Sequence, residues 1–290
     1  MKPLIECQAS DGHRWQVPLA SAEAPLAGLL WLPALGVPAA KYRGFSEALA
    51  SRGITAAVHE WRGLDSSSLR PSRKVDWGYR ELVDQDIPVS LARVRDASPG
   101  LPWLIGGHSI GGQIAALALA RHPALASGLV LAATGVPDAK AYPTRHRLMV
   151  GGFARLIPLL SGAFGYFPGD RLQWAGREAA QLMREWAGTV RTGHYNDVGL
   201  GPDIEKHMAG INAPRLGLRM SDDWLVPEAS LDLLLAKLGP GPQHREEFDA
   251  ARLGVPADHF RWMRRPDAVA QAISDWLQRT PQATIHATTG

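Results

Sequence analysis

The hydrophobic positions along the chain switch repeatedly between a strand-like and a helix-like pattern. Strand-like runs occupy residues 26–32, 54–59 and 103–105, and the first and third of them are continuously apolar. The segments that follow the first and third runs, residues 39–50 and 113–121, carry apolar side chains at helical spacing. Strands that alternate with helices in this way predict an α/β fold with a mostly parallel central sheet and helices on both faces.

The same pattern continues toward both ends of the chain. Asp11 and Gly12 form a turn signal between two short strand patterns, so an antiparallel hairpin is predicted near the N-terminus. A long helical pattern after residue 75 contains Pro88, where an interruption is expected. The remaining predicted strands cover residues 4–8, 14–18, 127–133, 215–220 and 243–248, and the remaining predicted helices cover residues 75–95, 227–238 and 266–278.

The alternation stops between residues 136 and 212. Helical stretches at 147–160 and 177–187 are separated there by glycine-rich and aromatic pieces. Because a structureless loop of this length is rare in a compact domain, residues 136–212 are predicted to form an inserted helical cap. Residues 1–135 and 213–290 then form the core. The cap residues expected to cover one end of the sheet are Phe153, Leu156, Leu159, Phe164, Tyr166 and Phe167.

Composition changes this picture little. The chain has 290 residues, of which 46% are hydrophobic and 20% charged, so a folded globular protein is expected rather than a disordered one. Its one cysteine, Cys7, excludes an intramolecular disulfide and a zinc site built from thiolates. No uninterrupted apolar stretch approaches the roughly 18 residues of a membrane span, and the N-terminus lacks the apolar region of a secretory signal. We therefore expect a cytoplasmic protein without a membrane span.

The charges do not point to a nucleic-acid partner. Lysine and arginine total 31 and aspartate and glutamate total 28, which gives a formal net charge of +3 with the two signs interleaved. A nucleic-acid-binding protein usually shows a basic stripe or a recognition motif, and the sequence shows neither. The glycine loop described next lacks the spacing of a nucleotide phosphate-binding loop, so we expect neither a cofactor nor a metal ion.

Residues 107–111, Gly-His-Ser-Ile-Gly, match the pattern Gly-x-Ser-x-Gly. A buried strand pattern runs into this segment and a helical pattern leaves it, which is the setting in which a strained turn lifts a serine hydroxyl above a sheet edge. Gly107, Gly111 and Gly112 are expected to leave room for the tight crossing from strand to helix. A phosphate-binding loop or a plain tight turn is the alternative, but the glycine spacing required for phosphate binding is missing. Ser109 is therefore the predicted nucleophile.

A serine nucleophile needs a base and an acid that orients the base. In an α/β sheet these residues follow later strands in the order serine, acid, histidine. Two aspartates, Asp222 and Asp223, follow the predicted strand at residues 215–220, and we predict that Asp223 is the acid. Asp222 is expected to cap a helix or to lie in the solvated loop. His259 lies between the last predicted strand and the last predicted helix, so it is the predicted base.

These motifs resemble those of the α/β-hydrolase superfamily over nearly the whole chain. More narrowly, the sequence is similar to a group of bacterial predicted α/β-hydrolases related to the serine-aminopeptidase and lysophospholipase-like branch. The resemblance implies an α/β-hydrolase fold with a helical cap inserted into it. The segments that carry the likeness are Pro-Ala-Leu-Gly-Val at 33–37, Asp-Trp-Gly at 76–78, Gly-His-Ser-Ile-Gly-Gly-Gln at 107–113 and Gly-Tyr-Phe-Pro-Gly at 165–169.

The resemblance also implies an oxyanion hole made of two backbone N–H groups. One belongs to Ile110, directly after the serine, and the other is assigned to Leu35 from the match of residues 33–36. This chain departs from the pattern at three places. Relatives commonly have His-Gly where this chain has Pro33-Ala34, and they commonly have glycine where it has Asp65 and Asp258.

The predicted function is that of a serine hydrolase. Ser109, His259 and Asp223 would cleave an ester, thioester or amide of a small to medium acyl substrate through a covalent acyl-enzyme. Trp224, next to the acid, and His108, next to the nucleophile, are expected to line the substrate pocket. An acyltransferase with the same triad and an inactive hydrolase-fold binding protein are the alternatives. Haloalkane dehalogenation is disfavoured, because dehalogenases of this superfamily use an aspartate where this chain has Ser109.

Overall fold

A computed structural model describes residues 3–172 and 174–280 of the chain. The strands in these residues are β1 (Leu4–Gln8), β2 (Arg14–Ala20), β3 (Ala27–Leu32), β4 (Ile54–Val58), β5 (Trp103–His108), β6 (Leu129–Ala132), β7 (Phe167–Pro168), β8 (Arg177–Glu178), β9 (Arg215–Met220) and β10 (Gln243–Phe248). Eight of them form one sheet in the order β1-β2-β4-β3-β5-β6-β9-β10, and β7 and β8 form a small separate hairpin.

The large sheet is mostly parallel. Strands β1 and β2 form the predicted antiparallel hairpin, and β2 also runs antiparallel to β4. All other neighbours are parallel, from β4 through β3, β5, β6 and β9 to β10. This topology confirms the predicted fold class. Because parallel strands end at the same edge, the loops after β3, β5, β9 and β10 gather at one end of the sheet, and these loops carry the predicted site residues.

Helices cover both faces of the sheet, and most begin and end within a few residues of their predicted bounds. The helices are α1 (Arg43–Ala50), α2 (Tyr79–Glu81, continued by a π-helical turn at Leu82–Asp86 and by Ile87–Ala97), α3 (Ile110–Arg121), α4 (Thr144–Phe164), α5 (Ala180–Thr192), α6 (Ile204–Ala209), α7 (Glu228–Ala236), α8 (Ala250–Leu253) and α9 (Asp267–Arg279). Short 3₁₀ turns lie at Ala39–Tyr42, Ala139–Ala141 and Arg261–Arg264.

Pro88 interrupts helix α2 less than predicted. The chain makes its π-helical turn over Leu82–Asp86, and Pro88 is the second residue of the α-helical part that follows. A proline near the start of a regular helical stretch removes little hydrogen bonding, so the wider turn before it accommodates the ring. The helix also begins later than predicted, at Tyr79, because the N–H of the extended residue Gly78 is capped by the Glu81 carboxylate at 2.8 Å.

The two faces of the large sheet carry separate hydrophobic cores. Helices α2, α3, α6 and α7 cover one face, where Leu30, Ile105 and Leu131 are fully buried. Helices α1 and α9 cover the other face, where Leu29 and Val130 are fully buried. Neighbouring residues of each central strand therefore enter opposite cores, which explains why these strands are apolar on both sides.

A third, smaller core lies in the region predicted as the cap. Side chains of α4, β7 and α5 pack on one another there, among them Ile157, Phe167 and Val190. The segment after α5 behaves differently, since Tyr195 and Met208 are buried in the main core and α6 packs on α3. The helical layer with its own core thus extends from α4 to α5, which is a shorter stretch than the predicted residues 136–212.

Two apolar residues of α4 do not cover the sheet as expected. Leu156 and Leu159 are exposed, whereas Ala154 and Ile157 of the same helix are buried. Both sides of this helix are apolar, so the hydrophobic pattern does not indicate which side faces inward. Within the described residues, α4 is also the one helix that is long and apolar enough to cross a membrane, which by itself is weak support for a membrane span.

Candidate active site

Ser109 lies at a sharp turn between strand β5 and helix α3. Its backbone has φ 57° and ψ −127°, a conformation that costs free energy in a residue other than glycine. The Ser109 N–H donates to the Ala132 carbonyl (3.2 Å), and the Thr134 hydroxyl donates to the Ser109 carbonyl. Residues at the end of β6 therefore hold the strained turn in place and keep the half-buried serine at the edge of the sheet.

The glycines around Ser109 are required by close packing, as predicted. A Cβ atom on Gly107 would lie 2.3 Å from the carbonyl carbon of Gly111, and one on Gly111 would lie 2.1 Å from the carbonyl oxygen of Leu32. A Cβ atom on Gly112 would lie 2.5 Å from Thr134. These distances are far below van der Waals contact, so only glycine allows α3 to leave β5 at this angle and to approach the end of β3.

Asp223 and His259 form a buried hydrogen bond beyond the ends of β9 and β10. His259 Nδ1 lies 2.7 Å from Asp223 Oδ2. The other carboxylate oxygen, Oδ1, accepts the N–H groups of Leu225 (2.9 Å) and Val226 (3.0 Å). The backbone of the loop therefore fixes the carboxylate and directs one of its oxygens at the imidazole.

The neighbouring Asp222 takes no part in this contact. Its side chain is exposed and accepts a hydrogen bond from the Ser221 hydroxyl (3.1 Å). Its backbone N–H donates to the Ala257 carbonyl (3.0 Å). The geometry therefore favours Asp223 over Asp222 as the partner of the histidine.

His259 meets the Ser109 turn through His108. The rings of His108 and His259 have centroids 4.8 Å apart, and His108 directly precedes Ser109. Among the residues that the structure describes, Ser109 Oγ makes no hydrogen bond to His259. Catalytic hydrogen bonds are often long in structures without substrate and tighten in the reacting complex, so this geometry is compatible with a serine–histidine pair.

His108 is fully buried behind the His259 ring. Its Nδ1 is hydrogen-bonded to the Tyr42 hydroxyl (2.8 Å), which also accepts the N–H of Ala34 (2.9 Å). Burial lowers the pKa of His108 well below its usual value and the nearby His259 lowers it further, so the ring is neutral at pH 7. These contacts favour a supporting position beneath the site, and the expected role of His108 in the substrate pocket stays a prediction.

The loop after β3 is held next to the Ser109 turn by two aromatic side chains. The Tyr42 hydroxyl binds one of its N–H groups, and Trp61 Nε1 donates to the Pro33 carbonyl (3.0 Å). In the described part of the chain, the N–H groups of Leu35 and Ile110 have no hydrogen-bond partner. Neither predicted oxyanion donor is therefore engaged by another group of the described residues, and their role stays a prediction.

A small cavity of ≈ 10 Å³ lies beside Leu35 and Ile110. Two buried polar side chains help to line it: Arg62, which follows β4, and Glu178, which lies in the β7–β8 hairpin. The cavity is large enough for about one water molecule. Burial raises the pKa of Glu178 to about 7, although its Oε1 accepts the N–H of Gly176 (3.0 Å). The cap hairpin is thus close to the predicted oxyanion loop.

Trp224 connects the loop of the predicted acid to the cap. It is exposed, and its ring centroid lies 5.0 Å from that of His146 in α4. The Tyr142 hydroxyl donates to the Leu225 carbonyl (2.8 Å), which is a second contact between the cap region and this loop. An exposed ring at this junction is compatible with a place at the substrate entrance, and that role also stays a prediction.

A second contact among a serine, a histidine and an aspartate is formed by residues outside these loops. His13 Nε2 is 2.9 Å from Ser67 Oγ, and His13 Nδ1 is 3.2 Å from Asp86 Oδ1. Arg62 donates to both carboxylate oxygens of Asp86, at 2.6 and 2.7 Å. All four side chains are buried, and they join the β1–β2 hairpin to helix α2. No group of three or more His, Cys, Asp and Glu side chains could hold a metal ion within residues 3–172 and 174–280.

Sequence reasoning named Trp61 as one of several tryptophans that could line a pocket, but it missed the contacts by which Trp61 and Tyr42 support the site. Trp61 follows β4 at the edge of the sheet where the site lies, and this position was a usable signal. Tyr42 lies in the 3₁₀ turn Ala39–Tyr42 and matches an ordinary core position in the sequence. Only the packed structure shows that its hydroxyl bridges Ala34 and His108.

Known structures share this architecture over almost the whole chain. A monoacylglycerol lipase from Paleococcus ferrophilus has a TM-score of 0.59 at 17% identity, over 90% of this chain and 98% of that chain. An esterase from Exiguobacterium antarcticum has a TM-score of 0.61 at 16% identity, over 96% of this chain and 100% of that chain. A haloalkane dehalogenase from Bradyrhizobium elkani has a TM-score of 0.62 at 16% identity, over 99% of both chains. At these identities the likeness establishes the fold, and the protein is an α/β-hydrolase-fold protein.

The family is given by the sequence itself. Residues 25–252 match the family model of serine aminopeptidases, S33. Because this match covers most of the chain, the protein belongs to the S33 serine aminopeptidase family and is a hydrolase. No curated protein sequence matches the chain.

Proposed function

We propose that the protein is a serine hydrolase that cleaves a carboxylic ester of a small to medium acyl substrate through a covalent acyl-enzyme. The observation that carries the proposal is the strained Ser109 turn at the same end of the sheet as the Asp223–His259 hydrogen bond of 2.7 Å. A serine hydroxyl is a poor nucleophile at neutral pH, and a histidine oriented by a carboxylate is the usual means of activating it.

In the proposed reaction, Ser109 Oγ attacks the acyl carbon while His259 Nε2 takes the hydroxyl proton. The imidazolium is stabilised by Asp223, whose carboxylate is already held by two backbone N–H groups. His259 then gives the proton to the leaving group, and the acyl group remains on Ser109 as an ester. Water attacks this ester with His259 as the base, which releases the acid and restores the serine.

The negative charge that forms on the acyl oxygen would be bound by the N–H groups of Ile110 and Leu35. Ile110 is the first residue of α3, so its N–H lies at the positive end of the helix dipole. Leu35 lies on the loop that Tyr42 and Trp61 hold. Donors that are fixed before the reaction cost no reorganisation when the charge develops, which is the main advantage of an oxyanion hole.

The substrate class rests on the site together with the names of similar proteins. Two of the similar structures are called a lipase and an esterase, which favours an ester. Because the chain belongs to a family of serine aminopeptidases, an amide is a second candidate, and a thioester would react by the same steps. The dehalogenase carries less weight, because this chain has Ser109 as its candidate nucleophile. A cytoplasmic location and a small-molecule substrate remain part of the proposal.

The test is a screen over p-nitrophenyl esters of increasing acyl length, combined with labelling by a fluorophosphonate probe. The wild-type protein should hydrolyse at least one ester and become labelled, and Ser109→Ala should do neither. A folded wild-type protein that is never labelled would favour the inactive binding protein. Turnover that appears only after an alcohol or amine acceptor is added would favour the acyltransferase.

A further inference from the structure

The outer side of the cap helix α4 is an exposed apolar surface. Leu148, Met149, Leu156 and Leu159 are 73%, 49%, 53% and 69% exposed, respectively. Their spacing places all four on one side of the helix, which we call the α4 outer face. Single exposed leucines are ordinary on protein surfaces, whereas a group of this kind usually marks an interaction site.

The opposite side of α4 fixes the orientation of the helix. Ala154 and Ile157 are fully buried in the small core that α4 shares with the cap hairpin and α5, and Ser161 is buried on the same side. Rotating the helix to bury the leucines would expose this core. The α4 outer face is therefore presented to the surroundings by the packing of the cap itself.

The surroundings of these leucines are basic. The sequence between Asp138 and Asp170 contains no aspartate or glutamate. The lysine and arginine residues of this stretch are Lys140, Arg145, Arg147 and Arg155. Across the described chain none of these four forms an ion pair, and Arg155 donates instead to the Gly151 carbonyl (2.9 Å). Helical spacing places Arg145 and Arg155 on the side of the leucines and Arg147 on the side of Ala154. An apolar surface flanked by unpaired cations matches a surface that is both apolar and anionic.

Exposed aromatic rings lie beside the predicted acid and base as well. Trp224, next to Asp223, packs on His146 in the first turn of α4. Phe260 is exposed, and its ring centroid lies 4.7 Å from that of His259. Aromatic rings are favoured at the boundary between lipid and water. The first turn of α4 therefore contacts one exposed aromatic ring beside the candidate site.

We propose that the α4 outer face binds the surface of a bilayer that contains anionic phospholipid. The leucines enter the region of the acyl chains and leave water, and the arginines remain at the headgroups, where each adds an electrostatic attraction. The helix lies along the membrane surface in this arrangement. Binding does not depend on the reaction proposed above and would occur with or without a working Ser109.

Two other arrangements fit the α4 outer face less well. A membrane-spanning helix would have to leave the small cap core, which would lose its buried contacts with Ala154 and Ile157. A second copy of the chain, meeting this face about a two-fold axis, would bring Arg145 and Arg155 of both copies together with no carboxylate of the stretch to offset them. An anionic lipid surface offsets these charges.

The test is cosedimentation of the full chain with lipid vesicles. Wild-type protein should bind vesicles made of equal parts phosphatidylcholine and phosphatidylglycerol at least about tenfold more tightly than pure phosphatidylcholine vesicles, because several cations contribute. The double variant Leu156→Gln/Leu159→Gln should bind the anionic vesicles at least about tenfold more weakly, because two leucines no longer leave water. The matched control Leu4→Gln/Leu233→Gln, which changes two exposed leucines elsewhere, should bind like the wild type.

The charge contribution is tested by a second pair of variants. Arg145→Gln/Arg155→Gln should weaken binding to anionic vesicles and reduce its dependence on salt. The control Arg14→Gln/Arg43→Gln lowers the net charge by the same amount at other exposed positions and should bind like the wild type. Circular dichroism and thermal unfolding should be unchanged in all variants, since every substituted side chain is exposed. A loss of binding then cannot be attributed to unfolding.

Three results would overturn the proposal. One is wild-type protein that does not bind anionic vesicles, and another is equal binding by the wild type and the Leu156/Leu159 variant. The third is a wild-type dimer that the same substitutions dissociate, because the face would then bind a second copy. Ser109→Ala should bind vesicles like the wild type, so a failure of this proposal and a failure of the proposed reaction are distinguishable.

Discussion

The molecule brings a serine, a histidine and an aspartate together at two places. The elbow set is Ser109, His259 and Asp223, and the buried set is Ser67, His13 and Asp86. In the buried set both hydrogen bonds are formed, at 2.9 Å from serine to histidine and 3.2 Å from histidine to aspartate. In the elbow set the bond from histidine to aspartate is shorter, at 2.7 Å, and in the described chain the serine does not bond to the histidine. Hydrogen-bond connectivity alone would therefore favour the buried serine.

The two serines differ in what surrounds their hydroxyl groups. Ser67 is buried, and its Oγ accepts the N–H groups of Gly63 (3.0 Å) and Leu69 (3.2 Å). Ser109 is half-buried at a strained turn, and its hydroxyl has no hydrogen-bond partner among the residues described. A nucleophile has to reach its substrate, and Ser67 could do so only after breaking several buried hydrogen bonds.

The two aspartates differ in how much of their charge is already neutralised. Asp86 accepts from the Arg62 guanidinium with both oxygens. Asp223 accepts two backbone N–H groups with one oxygen and leaves the other to His259. A carboxylate without a cation partner can stabilise an imidazolium that forms during a reaction. Backbone strain, access and an unneutralised carboxylate thus distinguish a candidate active site from a structural network better than distances do.

The largest expected effect separates the two serines. Ser109→Ala should lower ester turnover by about a million-fold, because the covalent pathway is lost. Ser67→Ala should keep kcat/KM within about tenfold but lower the free energy of unfolding by about 1–3 kcal/mol, because buried N–H groups lose their acceptor. Steady-state kinetics and urea unfolding of both variants provide the measurement. A Ser109→Ala protein within tenfold of wild-type activity, or an inactive but folded Ser67→Ala protein, would reverse the assignment.

The next effect separates the adjacent aspartates of the acid loop. Asp223→Asn should lower kcat by about three to four orders of magnitude, because the imidazole loses its charge partner and its correct tautomer. Asp222→Asn should lower it by less than about tenfold, since the Asp222 side chain is exposed and contacts the Ser221 hydroxyl rather than His259. The same ester assay compares the two. If Asp222→Asn were the damaged variant, Asp222 would be the acid and the proposed geometry of the loop would be wrong.

A third prediction concerns the stability of the buried set. Asp86→Asn should lower the free energy of unfolding by about 1–3 kcal/mol, because Arg62 would lose its fully buried partner and keep only the partly exposed Asp11 (2.6 Å). Asp84→Asn on the same π-helical turn is the control, since its pair with Arg121 (3.0 Å) is near the surface and worth about 0–1 kcal/mol. Urea unfolding measures both variants. Loss of activity in folded Asp86→Asn would show that the buried set contributes to the reaction.

The two sets also differ in how far the sequence could predict them. Each residue of the elbow set follows a recognisable strand pattern, and the glycines around Ser109 mark the turn locally. The buried set joins His13 to residues 54 and 73 positions away, and neither Ser67 nor Asp86 lies in a local pattern that points to the contact. Local signals carried the fold class and the order of the candidate triad, whereas side-chain networks depend on packing between distant segments.

Helix α4 shows the same limit in another form. The helical pattern predicted the helix, but the leucines on one side and the small apolar residues on the other gave no basis for choosing the buried side. The packing of Ile157 and Ala154 against α5 decides it, and that contact involves two segments of the cap. Hydrophobic periodicity also does not report the π-helical turn at Leu82–Asp86, which directly precedes the helical stretch that contains Pro88.

The smallest expected effect concerns Tyr42, which supports the elbow set from beneath. Tyr42→Phe removes a hydroxyl that accepts the Ala34 N–H and is bonded to His108 Nδ1. Leaving these buried groups without a partner should lower the free energy of unfolding by about 1–3 kcal/mol. The loop that carries Leu35 would be held less firmly, so kcat should fall by about tenfold with little change in KM, because the oxyanion forms only along the reaction path. Kinetics and urea unfolding measure the two effects.

Tyr79→Phe is the matched control for this last prediction. Tyr79 is fully buried like Tyr42, but its hydroxyl has no hydrogen-bond partner in the part of the chain that the structure describes. Removing an unpaired buried hydroxyl should leave stability unchanged or raise it, and kcat should stay at the wild-type value. If Tyr42→Phe and Tyr79→Phe lowered kcat and the free energy of unfolding equally, the decrease would come from altered packing of a buried ring. A fall in kcat confined to Tyr42→Phe would instead show that the Tyr42 hydroxyl positions the oxyanion loop. The rate at the elbow set would then depend on a residue that does not touch the substrate.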